Sequence, residues 1–172
     1  MQNEFSRPYD LSALETETGL TLKAGPAETA ALATRFGLEE LSDFTATLAI
    51  KPWRGRKGVR LTGTVSAKIR QICVVSLDPF DSVVEAPFDE LFAYGDPVSF
   101  AAEFDEADLP TELDGATLDI GEVVAEHFAL ALDPYPRKPG VSFEMPGGEP
   151  GEEKRESPFA ALNALKGGDD AE

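Results

Sequence analysis

From Leu41 onward the chain alternates. Phe44, Ala46, Leu48 and Ile50 share one parity, with Thr45, Thr47 and Ala49 between them. After residues 52–58 the rhythm resumes, with Val59, Leu61, Val65, Ala67 and Ile69 set against Arg60, Thr62, Thr64, Ser66, Lys68 and Arg70. A period of two held over two consecutive runs cannot make a helical stripe. It predicts an antiparallel hairpin with one aliphatic, buried face and one basic, hydroxylic face. The rhythm slips near Gln71–Ile72, where a bulge is expected. A third strand is expected over residues 81–92, with Pro87 marking an edge or a break.

Elements of another kind flank these strands. Residues 19–24 read as a short strand leading into a helix. Pro26 suits a first helical position, because its missing N–H would have no partner there. That helix runs from Ala27 to Phe36, and Gly37 is its expected C-terminal cap. Asp119 opens a second helix, its carboxylate placed to cap the first amides and Glu122 completing a capping-box-like pair. Ile120, Val123, Val124, Phe128, Leu130 and Ala131 give that helix a broad apolar face, and Pro134 and Pro136 end it. Residues 94–113 are acidic and irregular. The expected fold is α+β: an antiparallel sheet packed by an N-terminal helix and a long C-terminal helix, all within residues 1–140.

Residues 141–172 read as a flexible acidic linker and tail, rich in Gly, Pro and Glu. Within it, residues 157–166 carry a miniature helix signature. Ser157 caps, Pro158 follows, and Phe159, Leu162 and Leu165 share one side. So short a helix is unstable alone in water, so it docks either on its own domain or on a partner.

The net charge of −17 is unevenly spread. Seven basic residues and no acidic one lie between Phe44 and Leu77, whereas sixteen acidic residues and no basic one lie between Asp78 and Asp133. The basic set is Lys51, Arg54, Arg56, Lys57, Arg60, Lys68 and Arg70, and Trp53 sits inside it. Segregation of this kind suggests two faces of opposite sign, since the local field decides what docks where. No apolar run is long enough to span a membrane and no secretory leader is apparent, so the cytoplasm is the expected compartment.

Catalytic chemistry is hard to assemble. The chain has one Cys and one His, with no metalloprotease helix motif, nucleophile elbow or phosphate loop. Cys73 ends a predicted strand, where a small buried hydrophobe is the commoner role than a thiol–imidazole pair with His127. The acidic run over residues 103–108 lacks the glycine and final glutamate of a calcium loop. An enzyme is not expected.

Three segments together carry a resemblance: ICVVSLDPFDSVVEAPFDELF (72–92), LDIGEVVAEHFALALDPYPRKPG (118–140) and the tail PFAALNALK. Over residues 41–166 the chain resembles the YceD-like family, the large ribosomal RNA subunit accumulation proteins. The matching positions include Cys73, Leu77, Pro79, Leu132, Pro134 and Pro136. Many members carry C-x-x-C-L-x-P and further cysteines after the long helix, described as possible metal ligands. Here the element is C-V-V-S-L-D-P, with Ser76 in the second position and no cysteine in residues 133–140. One thiol cannot build a tetrahedral thiolate site, so no metal or other cofactor is expected. Packing around Leu77, Pro79 and Phe80 is expected in its place.

The resemblance implies a role in the synthesis, processing or stability of large-subunit ribosomal RNA. Two mechanisms follow from the charges. In the first, Trp53 stacks on an unpaired base while Lys51, Arg54, Arg56, Lys57, Arg60, Lys68 and Arg70 meet phosphates; the alternative for Trp53 is a hairpin-end residue folded onto the core. In the second, the acidic surface shields a basic large-subunit ribosomal protein, with Phe159, Leu162 and Leu165 as an apolar anchor. The basic face then only pairs with the chain's own carboxylates. The expected partners are large-subunit ribosomal RNA, a pre-ribosomal particle or such a protein, with no membrane and no small-molecule substrate.

Overall fold

A computed structural model describes residues 3–55, 57–95 and 109–142. Its centre is a sheet of long strands. These are β2 (Thr18–Lys23), β3 (Glu40–Trp53), β4 (Gly58–Ile72) and β5 (Pro79–Ala93), joined at one end by the short β6 (Thr111–Glu112). The order is β2-β3-β4-β5-β6, antiparallel throughout except for the parallel β5–β6 contact. A second ribbon pairs β1 (Pro8–Asp10) with β7 (Thr117–Asp119). Two helices, α1 (Pro26–Phe36) and α2 (Ile120–Ala131), complete this α+β unit, and a single 3-10 turn spans Leu11–Ala13.

The alternation does what its period requires. Phe44, Ala46, Leu48, Ile50, Val59, Leu61, Val65, Ala67 and Ile69 are all buried beneath the helices. Phe44 stands edge-on to Phe5 and to Phe128, with ring centroids 5.3 Å and 5.1 Å away. Each such aromatic pair adds about 0.5–1.5 kcal/mol to the burial itself. α1 begins at Pro26 and ends at Gly37, whose φ of 67° places it in the left-handed region that glycine adopts most easily. Glu28 Oε2 accepts the Gly25 N–H at 2.7 Å, half of a capping box on this helix.

Several expectations are corrected. The hairpin loop is shorter than residues 52–58, because the strands run to Trp53 and resume at Gly58. No bulge lies at Gln71–Ile72. The β4–β5 register is unbroken there, and Gln71 occupies an inward position where the core has run out, its amide donating to Ser82 Oγ at 3.3 Å. The irregularity lies between Ser42 and Thr45, where Asp43 has φ of 52°. The irregular acidic segment contributes β6.

Asp119 caps α2 as expected, taking the N–H of Gly121 and Glu122 at 3.1 Å and 3.3 Å. Glu122 does not reach back to it. Its carboxylate instead receives both terminal nitrogens of Arg35, at 2.6 Å and 3.0 Å, and the guanidinium outcompetes a neutral amide. Leu130 is 82% exposed and Ala131 is also exposed, because the helix outruns the sheet edge it packs on.

Asp119 also accepts the Arg7 N–H at 2.7 Å, Ser6 Oγ at 2.7 Å and Asn3 Nδ2 at 3.1 Å. These bonds fasten the N-terminal segment to the start of α2. Gly121 allows the close approach, since a Cβ there would run into the Phe5 carbonyl.

Candidate functional site

The outward parity of the sheet is the face that sequence assigned to RNA, and the register fixes its layout. Its middle is hydroxylic and nearly neutral: Thr47 lies opposite Thr64, and Thr45 opposite Ser66, their hydroxyls 3.3 Å apart. Basic residues occupy the two ends. Lys51 pairs in register with Arg60 at the turn end, while Lys68 and Arg70 lie at the far end.

Those end groups are already engaged. Arg60 makes a fork-on-carboxylate pair with Asp89, its Nε 2.6 Å from Oδ1. Arg70 does the same with Asp81, at 2.8 Å and 3.1 Å. Lys68 Nζ lies 2.8 Å from Asp43, and Lys51 Nζ lies 3.8 Å from Glu17. Hydrogen bonds from these cations hold Asp43, Asp81 and Asp89 below the usual carboxylate range, and the carboxylates raise Arg60, Lys68 and Arg70 in turn. The β4–β5 hairpin therefore folds the acidic run of the sequence back onto its basic run.

The hairpin tip brings a cation and an aromatic ring together. Trp53 closes β3 opposite Gly58, and the turn carries Arg54 at φ of 45° followed by Gly55 at 64°. A non-glycine residue in the left-handed region is uncommon and costs about 1–2 kcal/mol. Here it swings the Arg54 guanidinium over the Trp53 indole, 4.6 Å from the ring centroid. Trp53 is half-buried, and Arg54 and Lys57 are exposed. Arg56 lies outside the described residues, as do Phe159, Leu162 and Leu165.

Of the other matched positions, Leu77 and Pro136 meet the Cys73–Val74 backbone. The Cys73 side chain is fully buried, and its Sγ accepts the N–H of Ser76 at 3.4 Å and of Lys138 at 3.3 Å. The Val74 N–H donates to the Pro136 carbonyl at 2.9 Å. The segment after β4 is thus stitched to the segment after α2, where Leu132 ends the helix, half-buried, and Pro134 is exposed. The Ser76 hydroxyl and the backbone N–H groups of Ser76 and Lys138 bring the thiol down to about 6, against the opposing effect of burial.

Of the packing expected around Leu77, Pro79 and Phe80, only Phe80 is half-buried. Pro79 is exposed, and Leu77 is 75% exposed at φ of 60°, its N–H closing the turn onto the Cys73 carbonyl at 2.9 Å. A metal does not fit either. Sequence supplies one thiol, that thiol is occupied by N–H donors, and Ser76 Oγ accepts from Asp78 N at 3.4 Å. Among the described residues no group of three or more His, Cys, Asp or Glu could hold an ion.

His127 lies half-buried on α2, at the edge of the core. Its ring stacks on Phe88 with centroids 5.0 Å apart, and Nε2 lies 2.7 Å from Glu90 Oε2. Cys73 and His127 sit at opposite ends of β5 by its register, so they form no dyad. The clamp from Glu90 to His127 was not legible in the sequence, because it depends on α2 crossing β5.

The family model described as "Large ribosomal RNA subunit accumulation protein YceD" matches residues 61–166. No curated protein and no solved structure matches the chain. Among the described residues no helix is long and apolar enough to cross a membrane.

Proposed function

The chain belongs to the YceD family of large ribosomal RNA subunit accumulation proteins, and on that premise we propose a non-enzymatic, cytoplasmic factor that contacts RNA through the tip of the β3–β4 hairpin. The observation carrying this reading is the Arg54–Trp53 stack on the turn. A planar cation over an indole is a ready surface for an unpaired base, and Arg56 and Lys57 supply phosphate contacts beside it. The strand-face cations Lys51, Arg60, Lys68 and Arg70 have no aromatic ring opposite them in the ladder and take second place on that ground. Loss of the Trp53 ring should cost about 1–3 kcal/mol of binding.

The test is capture from lysate at low salt, with and without ribonuclease, reading RNA and protein from the same beads. Large-subunit ribosomal RNA should be retained by the native chain. It should be lost when Arg54, Arg56 and Lys57 are replaced by Ala. Retention unchanged by those substitutions overturns the reading.

A second reading rests on the surplus of carboxylates over cations, which gives the chain its charge of −17. A basic large-subunit ribosomal protein would be drawn to that field, with Phe159, Leu162 and Leu165 as the apolar anchor. Its signature in the same experiment is a ribosomal protein that stays on the beads after ribonuclease.

A further inference from the structure

The ladder between β4 and β5 fixes which way each backbone group of β5 points. At one end the Tyr94 N–H donates to the Lys57 carbonyl, and at the other the Cys73 N–H donates to the Asp78 carbonyl. The register between them is unbroken, so the even-numbered residues of β5 face β4. The odd-numbered ones face away, and Ala93 confirms it by accepting the Leu113 N–H from the other side at 2.8 Å. Among the described residues β6 pairs only with Phe92 and Ala93. The outward amides and carbonyls of Asp81, Val83 and Glu85 therefore have no strand beside them there.

This stretch is bounded. Pro79 and Pro87 both occupy outward positions and have no N–H, so they limit pairing to the window between them. Natural edges are blunted by proline, yet among the described residues three successive outward donors remain here. Val83, at the centre, is 69% exposed. It borders a surface hollow of about 330 Å³ lined also by Glu40, Lys68, Arg70 and Asp81. Around it the carboxylates of Glu39, Glu40, Asp43, Asp81 and Glu85 outnumber the cations Lys23, Lys68 and Arg70 five to three.

We infer that the Asp81–Glu85 edge of β5 receives an extended segment of a basic protein by strand addition. The free main chain supplies the pairing, and the side chains supply the choice. On the outward face, the added strand presents a basic residue, an apolar residue over Val83 and a second basic residue, at alternate positions. A second copy of this chain is excluded as occupant, because two such edges would bring like charges together. The inference deepens the protein-partner reading and is independent of the RNA contact at the hairpin tip.

The test uses the full chain, labelled with nitrogen-15, and the peptide Gly-Lys-Val-Val-Val-Lys-Gly. Amide exchange at Asp81, Val83 and Glu85 should be fast in the free chain and should slow about tenfold or more at saturating peptide. A peptide N-methylated at its central valine, or carrying Glu for Lys, should not do this. Val83→Pro should abolish binding. Glu85→Lys, which leaves the backbone intact, should weaken it and guards against a misfolded proline variant. The inference is overturned if those amides are already protected in the free chain, if the N-methylated peptide acts equally, or if Glu85→Lys has no effect. Alanine substitutions at Arg54 and Lys57 should leave these amides unmoved, so this inference and the RNA reading fail separately.

Discussion

Replacing Asp81 and Asp89 by Asn should turn a closed face into an RNA-binding one. Each carboxylate holds one guanidinium in a fork-on-carboxylate pair, Arg70 and Arg60 respectively. Neutralising both releases two cations that point to solvent on one sheet face. For single-stranded RNA each phosphate contact steepens the dependence of log affinity on log salt by about 0.7. Two released cations should therefore steepen it by about 1.4. At 0.1 M salt that corresponds to about fivefold tighter binding per cation, or about 25-fold for the pair. The native chain, binding with Arg54, Arg56 and Lys57, should show a slope near 2. The assay is fluorescence anisotropy of a labelled single-stranded fragment of large-subunit ribosomal RNA between about 50 and 300 mM salt. A quadruple variant that also changes Arg60 and Arg70 to Ala keeps the net charge of the native face and should match the native slope. If instead the quadruple variant falls by about 1.4, the pairs open when RNA binds and the idea of a self-neutralised face is wrong. If the double variant binds no better than native, the face never approaches the RNA.

Three further outcomes are expected. Asp119→Ala removes a cap and strands the Arg7 N–H, which should destabilise the fold by about 3 kcal/mol and lower Tm by roughly 10 °C in a thermal melt. Burial raises the Asp119 carboxyl, but its bonds from Arg7, Ser6 and Asn3 outweigh burial and leave it lowered. Its contribution should thus be full above the unfolded carboxylate pKa of about 3.9 and disappear as pH falls through the lower folded value, a dependence absent from Asp119→Ala. Cys73, brought to about 6, should make the native chain gain stability relative to Cys73→Ala as pH rises from 6 toward its unfolded pKa of about 8.5, measured by urea titration at each pH. Leu77→Gly removes a side chain from a left-handed position that it fills mostly in solvent, and should leave stability unchanged or raise it by up to about 1 kcal/mol.

Alternation was enough to place β3 and β4 and to name their buried residues, because one core-facing parity dictates register. Caps were legible at Gly37 and Asp119 for the same local reason. The β1–β7 ribbon was not, since three residues on each side carry no period and their pairing joins positions more than a hundred residues apart. Glu122 was misread because its preferred partner, Arg35, arrives on another helix. The candidate face shows the larger gap. Read along the chain, the charges are segregated; read across the β4–β5 ladder, Arg70 lies directly opposite Asp81, and Arg60 is one diagonal from Asp89. Composition identified the groups and could not show that the fold would cancel them. The stack at Trp53 was anticipated as a residue pair, but its geometry depends on the left-handed turn at Arg54.

The ribbon between β1 and β7 also sets a schedule for birth. Phe5 is fully buried, and Asp119 holds the segment that carries it. At about 5–20 residues per second, the translating ribosome needs roughly 5–20 s to pass from Asp10 to Asp119. As β3, β4 and β5 are completed their hairpins can form and Phe44 becomes available to Phe5, but the Asp119 bonds that fasten the segment carrying Phe5 come only at the end of that interval. The segment around Phe5 is therefore fastened late, and a substitution at Asp119 would disturb a final step of folding rather than the first.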